Sequence, residues 1–428
     1  MKAELHTHQL EKQLADWKSY GAVSTPEEIV KLIIKLAGFK KVEGLDILEP
    51  ACGFCNFLQQ IHADHPHNRF YGVEINEEVF GQISKTYSKT HKRFQLVKED
   101  FLLWETEKKF DLVIGNPPYG IIGAKEHYAI NVLKDKKGLY KKIITTWHGK
   151  YNIYGAFIEK GVKFLKPHGK LAFIIPATWM ILDDFQLLRK YLANFGKVII
   201  YYLGKNVFKG LSVSSCILIF EKGSSGLDLH LKENGNLPLV YSNSQWTGEL
   251  IRFATPFTES FETNRARLAD LFDIKISARS PEVKSFKPLL EKPSKSALPF
   301  MNGRNVQKGV IERKAYIDLW LEENSITELK AFYGVLPRIV VGHTKGGIVV
   351  SALEDQLYPY IGDVYHLLPK VGFSKNQLLG IVNWLNSKEL ETYTKTLYRD
   401  ISPHTTATQL KILPLNIQAN GGTLFQNI

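Results

Sequence analysis

FDLVIGNPPYG, residues 110–120, runs a short apolar segment into a rigid polar loop. Phe110 to Gly115 is rich in β-branched and apolar residues, the composition of a strand buried on both faces. Pro117 and Pro118 lack backbone N–H groups and hold φ fixed, so neither a central strand nor an ordinary helical turn continues through them. Such a loop presents carbonyl oxygens and the flanking Asn116 and Tyr119 side chains in a pre-set geometry. Taken alone, the stretch also fits a Pro-Pro turn with a local Asn116 side-chain bond; its neighbours have to decide.

Upstream, LDILEPA, RFYGVEIN and FQLVKEDF read as strands, with helices starting near Phe57 and Glu77. Downstream, YGAFIEKGVKFLKPHG reads as an amphipathic helix ending at Gly169, and KLAFIIPA, VIIYYLG and SCILIFEKG as further strands. Alternating strands and helices predict an α/β fold, a mostly parallel sheet with helices on both faces. A leading helix is expected in STPEEIVKLIIKLAGF, with Thr25 as its cap and Pro26 at its first position. Near Asn234 the composition turns irregular, and beyond it short apolar runs mix with aromatic, Arg and His residues. Two domains are predicted, 1–238 and 239–428, the second of mixed character.

The 428 residues, 44% hydrophobic and 23% charged, supply ample core for such a pair. An excess of 55 Lys+Arg over 43 Asp+Glu, a net +12, favours a polyanionic partner. Three cysteines are too few for a disulfide framework and point to a reducing, cytoplasmic setting. Cys52 and Cys55 stand alone, without a second pair or a His cluster at ligand spacing, so no metal site is expected. The polar opening and the absence of any run of about 18 apolar residues predict neither secretion nor a membrane span.

Open α/β sheets bind ligands beyond the carboxyl ends of their strands. Four predicted strands end there in Glu49, Glu74, Asp100 and Asn116. A carboxylate at the second strand end is the usual holder of ribose hydroxyls, and Asp100 beside Phe101 suits an adenine amine. Each carboxylate alone also fits a helix cap or a solvated strand end. The first loop, EPACGFCNF, has one glycine and no G-x-G-x-x-G phosphate cradle, so S-adenosylmethionine fits better than NAD or ATP.

The ordered set EPACGFCNF, VEIN, EDF, GNPPYG, KYNIYGAFIEKGVKFLKPHGKLAFIIPATWM and YYLGKNVF resembles the γ-class N6-adenine DNA methyltransferases of restriction-modification systems, TaqI type. The resemblance continues through GRNVQKG, VVGHTKG, HLLPK, WLNS and TLYRDISPH and covers nearly the whole chain. It implies a Rossmann-like S-adenosylmethionine-dependent methyltransferase domain followed by an α+β DNA target-recognition domain. It also implies that Thr25, Glu49, Pro50, Ala51, Cys52, Glu74, Asp100, Phe101 and Pro118 bind the cofactor, and that Asn116, Pro117 and Tyr119 form the catalytic motif. Phe157 and Phe208 match aromatic residues at a flipped-out base. The implied substrate is adenine in double-stranded DNA, in the duplex sequence TCGA, methylated by a monomer whose cognate endonuclease is a separate chain. Cys55 stands where the family pattern has a glycine.

Arg279, Arg304, His343, Lys345, Arg399 and His404 are the candidates in the second half for base or phosphate contacts, Arg being suited to guanine edges. The run KDKKGLYKKIITTWHGK reads as a DNA-facing or a merely solvated face. Two rival readings are a protein-glutamine or RNA amine methyltransferase with the same Asn-Pro-Pro-Tyr chemistry, and a non-catalytic DNA-binding protein on a degenerate transferase fold.

Overall fold

The alternation of strands and helices builds one nine-stranded sheet. In the computed structural model, residues 17–38, 43–87, 93–125, 129–208, 213–277, 294–322, 325, 329–330, 332, 336–342, 348–362, 364–402 and 404–418 are described. The chain divides into two units, Met1–Ile251 and Arg252–Ile428.

In the first unit the elements run α1 (Glu27–Leu36), β1 (Asp46–Glu49), α2 (Asn56–Asp64), β2 (Arg69–Glu74), α3 (Glu77–Tyr87), β3 (Phe94–Lys98), β4 (Phe110–Gly115), α4 (Ile153–Lys163), β5 (Leu165–Pro176), α5 (Gln186–Phe195), β6 (Gly196–Gly204), β7 (Ser215–Lys222), β8 (Leu227–Leu231) and β9 (Leu239–Asn243). The sheet order is β9-β8-β6-β7-β5-β4-β1-β2-β3. Strands β3, β2, β1, β4 and β5 are parallel, and β7 enters antiparallel between β5 and β6. The order therefore reverses between β1 and β4, the switch point where such sheets open a crevice at their carboxyl edge.

Local sequence accounts for the elements around that crevice. On α1, Ile29, Val30, Ile33 and Ile34 form the buried stripe, with Glu27 and Glu28 in the first turn and Lys35 in the last, matching the helix dipole. All four residues of β1 are buried, as are Leu112 to Gly115 in β4, which is why these strands read as unbroken apolar runs.

Three expectations are corrected. Thr25 does not cap α1: Pro26 precedes the helix without a side-chain cap bond. Helix α4 ends at Lys163 rather than Gly169, because Leu165 already pairs with Phe110 and Pro167 cannot extend a helix. The irregular stretch near Asn234 is a tight turn inside the first unit. Asn234 and Gly235 both adopt positive φ, the signature of a hairpin turn, and β9 returns antiparallel to β8. The expected junction at 238/239 thus falls within the sheet, and the units part at Ile251.

The second unit contains a four-stranded antiparallel sheet of β10 (Phe272–Ile276), β11 (Arg338–Val341), β12 (Ser351–Glu354) and β13 (Tyr365–Pro369), ordered β10-β13-β11-β12. Helices α6 (Lys375–Leu385) and α7 (Lys388–Tyr398) follow it. Phe300, Met301, Val306, Leu321, Val340 and Tyr360 make its core, so this unit has an α+β character. Among the described residues no helix is long and apolar enough to cross a membrane. No group of three or more His, Cys, Asp or Glu among them could hold a metal ion.

Candidate active site

At the switch point lies a cleft lined by Glu49, Pro50, Ala51, Cys52, Glu74, Asp100, Phe101, Asn116, Pro118 and Phe157, with Thr25 and its neighbours closing one side. The four polar strand ends predicted from sequence thus meet in one cavity.

Glu49 closes β1, and its Oε2 accepts from Leu58 N of α2 at 3.3 Å. Burial pushes its carboxyl well above the usual range, more than the backbone donors lower it. Glu74 closes β2: one oxygen accepts from Gly53 N and the other from Asn76 N, both at 2.8 Å. Its carboxyl is also raised by burial, with those donors opposing the shift. Glu74 therefore fixes the first loop while keeping lone pairs for a ligand.

That loop is tight. Cys52 N donates to Val73 O and Cys55 N to Cys52 O. Cys55 takes the left-handed conformation, φ 61° and ψ 35°, which a glycine would adopt at less cost. The Cys55 thiol is buried, as is that of Cys52. Gly72, inside β2, makes the room: a Cβ there would lie 3.0 Å from Cys52 Sγ. A glycine inside a strand is the sequence signal of such close approach.

Asn116 carries the most informative geometry. Its Nδ2 donates to Val23 O and to Thr25 Oγ1, both at 2.9 Å, which orients the amide. Its Oδ1 is buried and has no hydrogen-bond partner among the described residues. A buried acceptor without a donor calls for an explanation, and Asn116 lines the cleft. The segment that orients it continues along the loop. Tyr119 N donates to Gly21 O at 2.9 Å, and a Cβ on Gly21 (φ 78°) would collide with the Tyr119 carbonyl. From the other side, Asn152 Oδ1 accepts from Gly120 N, and Ile153 N donates to Gly120 O. Sequence reasoning missed Gly21 and Val23, since a backbone carbonyl leaves no mark on residue type.

Tyr119 is buried, and its hydroxyl donates to Ile174 O at 2.9 Å. Phe208 packs on it at 6.0 Å with the rings 70° apart, an edge contact rather than a parallel pair that would sandwich a base. Neither ring lines the cleft. Phe157 does, and it lies 5.1 Å from Phe101, not beside Tyr119 and Phe208. Pro117 is buried in the same loop.

The lysine-rich run does not face outward as a whole. Lys136 Nζ lies 3.0 Å from Asp100 Oδ2, and Lys137 Nζ donates to Ile122 O at 2.6 Å. In the second unit, Arg304 is exposed beside a short hairpin. Arg399 is exposed at the end of α7 with φ 48°, its guanidinium 4.9 Å from the Phe253 ring centroid. His404 is exposed in the following loop. Arg279, His343 and Lys345 lie outside the described residues.

Comparison with known proteins places both units. Residues 30–208 match the Eco57I restriction-modification methylase family, and residues 298–415 match the TaqI-like C-terminal specificity domain. The type II methyltransferase M.TthHB8I of Thermus thermophilus is 42% identical over 415 residues, covering 96% of this chain and 94% of its own. The modification methylase CviBIII of a Paramecium bursaria Chlorella virus is 30% identical over 224 residues, covering 51% of this chain and 55% of its own. Among solved structures, a nuclease-deletion mutant of the restriction-modification enzyme LlaGI, in complex with a DNA substrate mimic, superposes with a TM-score of 0.55 at 13% identity. That match covers 93% of this chain and 54% of the LlaGI chain, and at this identity it speaks for the fold alone.

Proposed function

The chain belongs to the type II restriction-modification DNA methyltransferases, and from that premise we propose that it methylates N6 of an adenine rotated out of duplex DNA. The observation that carries the amine assignment is the oriented Asn116 amide, whose buried Oδ1 has no donor of its own.

The N6 lone pair of adenine is delocalised into the ring and is a poor nucleophile. Asn116 Oδ1 accepts one N6 hydrogen and the Pro117 carbonyl the other, which favours charge build-up on nitrogen. These dipoles are fixed before the substrate arrives, so they stabilise the transition state without reorganising. The prolines stiffen the loop, and Val23 and Thr25 hold the amide. Tyr119 and Phe208 stack the flipped base, with Phe208 turning from its edge contact to admit it. Stacking of this kind returns about 1–3 kcal/mol per base against an unstacking cost of a few kcal/mol.

The methyl donor is S-adenosylmethionine, which supplies an electrophilic methyl group on a sulfonium. The cleft fits it: Glu74 retains acceptors for the ribose hydroxyls, Asp100 accepts from the adenine amine, and Phe101 and Phe157 offer apolar faces for the ring. Phe157 is assigned here to the cofactor rather than to the target base. Thr25, Glu49, Pro50, Ala51, Cys52 and Pro118 complete the lining.

In this reading the first unit, to Ile251, is the catalytic domain and the second, from Arg252, the target-recognition domain, which reads TCGA through residues such as Arg304 and Arg399. The enzyme acts in the cytoplasm as a monomer, one strand per visit, and protects DNA from an endonuclease on a separate chain. The specificity-domain match at residues 298–415 favours DNA over a protein or RNA amine.

Asn116→Ala tests the assignment. Loss of the acceptor lowers single-turnover methyl transfer by about 10²–10³-fold, with cofactor affinity by calorimetry close to wild type. Transfer at the wild-type rate removes Asn116 from the chemistry.

A further inference from the structure

The acceptor assigned to the cofactor's adenine does not stand alone. Asp100 follows β3 and is buried at the cleft. Its Oδ1 accepts from Leu102 N at 3.1 Å, and its Oδ2 accepts from the Tyr140 hydroxyl at 2.5 Å and from Lys136 Nζ at 3.0 Å. An ionised carboxylate offers about four lone-pair sites. Oδ2 is filled by its two donors, and Oδ1 keeps one site.

Both donors of Oδ2 come from one segment. Leu133 lines the cleft, Lys136 ends the next turn, and Tyr140 sits in the helix Lys137–Ile143, fully buried and stacked on Trp147. Burial, and the Asp100 carboxylate beside it, push the Tyr140 hydroxyl well above its ordinary range, so it stays a donor. Lys136 is 40% exposed, with its ammonium turned inward to the carboxylate. Nothing in a solvated basic face or a phosphate-binding loop calls for that arrangement.

Resting on the cofactor reading above, we propose that Tyr140 and Lys136 are positioning residues that set selectivity for an adenine-bearing methyl donor. They donate to Oδ2 and leave Asp100 a single acceptor site, on Oδ1. A purine bearing an exocyclic amine donates to that site. A purine bearing a carbonyl there brings acceptor against acceptor, and neither group has a proton to share. Hydrogen-bond complementarity of this kind rejects the wrong partner because buried polar groups are left unpaired.

The test is calorimetric titration of the full chain with S-adenosylhomocysteine and with S-inosylhomocysteine, which carries a carbonyl in place of the amine. The proteins are wild type, Tyr140→Phe, Lys136→Met and Lys136→Arg. Wild type prefers the adenosyl compound. Tyr140→Phe keeps the stack on Trp147 but lets the carboxylate turn, and it weakens adenosyl binding by about tenfold and narrows the preference. Lys136→Met does the same, and Lys136→Arg restores the preference. In steady-state assays both weakened variants raise KM for S-adenosylmethionine and leave kcat unchanged, a split that loss of fold does not produce. Should Tyr140→Phe fail to fold, the more exposed Lys136 pair decides. If wild type binds both compounds equally, the assignment of Asp100 to the adenine falls first. If wild type discriminates and Tyr140→Phe and Lys136→Met keep its affinity and preference, this inference alone is overturned.

Discussion

In the first unit four polar candidates come from the ends of parallel strands and meet in one cleft; in the second those among the described residues sit where the chain is exposed. Glu49, Glu74 and Asp100 accept hydrogen bonds from Leu58 N, Gly53 N and the Tyr140 hydroxyl, and Asn116 donates to Val23 O and Thr25 Oγ1. Arg304 and His404 lie on exposed surface, and Arg399 ends a helix against Phe253. The difference is one of task. Chemistry needs groups fixed relative to one another before the substrate binds, whereas reading a duplex needs long side chains that reach base edges and phosphates. Substitutions in the first unit are therefore expected to change the rate at saturating DNA, and those in the second to change affinity and site preference.

Gly21→Ala presses hardest on the first half of that comparison. The added Cβ meets the Tyr119 carbonyl and displaces the loop that carries Asn116, so methyl transfer at saturating DNA falls by about 10²-fold. Normal turnover would mean that the segment can shift without disturbing the amide. Phe208→Ala removes about 1–3 kcal/mol of base stacking and slows single-turnover transfer less than Asn116→Ala does. A variant as inactive as Asn116→Ala would make Phe208 a packing residue. Thr25→Val deletes one anchor of the Asn116 amide and leaves the Val23 carbonyl, costing up to about tenfold in kcat with cofactor affinity preserved. If affinity falls and kcat holds, Thr25 serves the cofactor instead. Arg399→Ala is the mildest for catalysis: the slope of log affinity against log salt drops by about 1 if the guanidinium meets a phosphate, while transfer at saturating DNA is unchanged. A fall in that saturating rate would break the division of labour between the units.

The same contrast explains what could be read without coordinates. The parallel sheet and the four polar strand ends were legible because hydrophobic period, burial and the alternation of strands with helices are written in residue type. Thr25 was legible as important but misread as a cap, since its hydroxyl is used 91 residues away, at Asn116. Phe157 matches a base-stacking ring in the resemblance and lines the cleft beside Phe101; a helix's apolar face does not announce which cavity it floors. Val23 acts through its carbonyl and Lys136 through a side chain turned inward from a basic run, so neither carried a signal. The net charge of +12 pointed to a polyanion, but which side chains of the second unit read bases depends on loop paths that no periodicity encodes.

The most direct measurement is to treat an unmethylated plasmid with the enzyme and S-adenosylmethionine and to sequence it for modified bases. The account predicts N6-methyladenine on both strands, confined to TCGA, with none in a parallel reaction of Asn116→Ala. Modified adenines in another sequence would contradict the assigned site and leave the chemistry standing; methyl groups on cytosine, or none on DNA, would contradict adenine methylation itself.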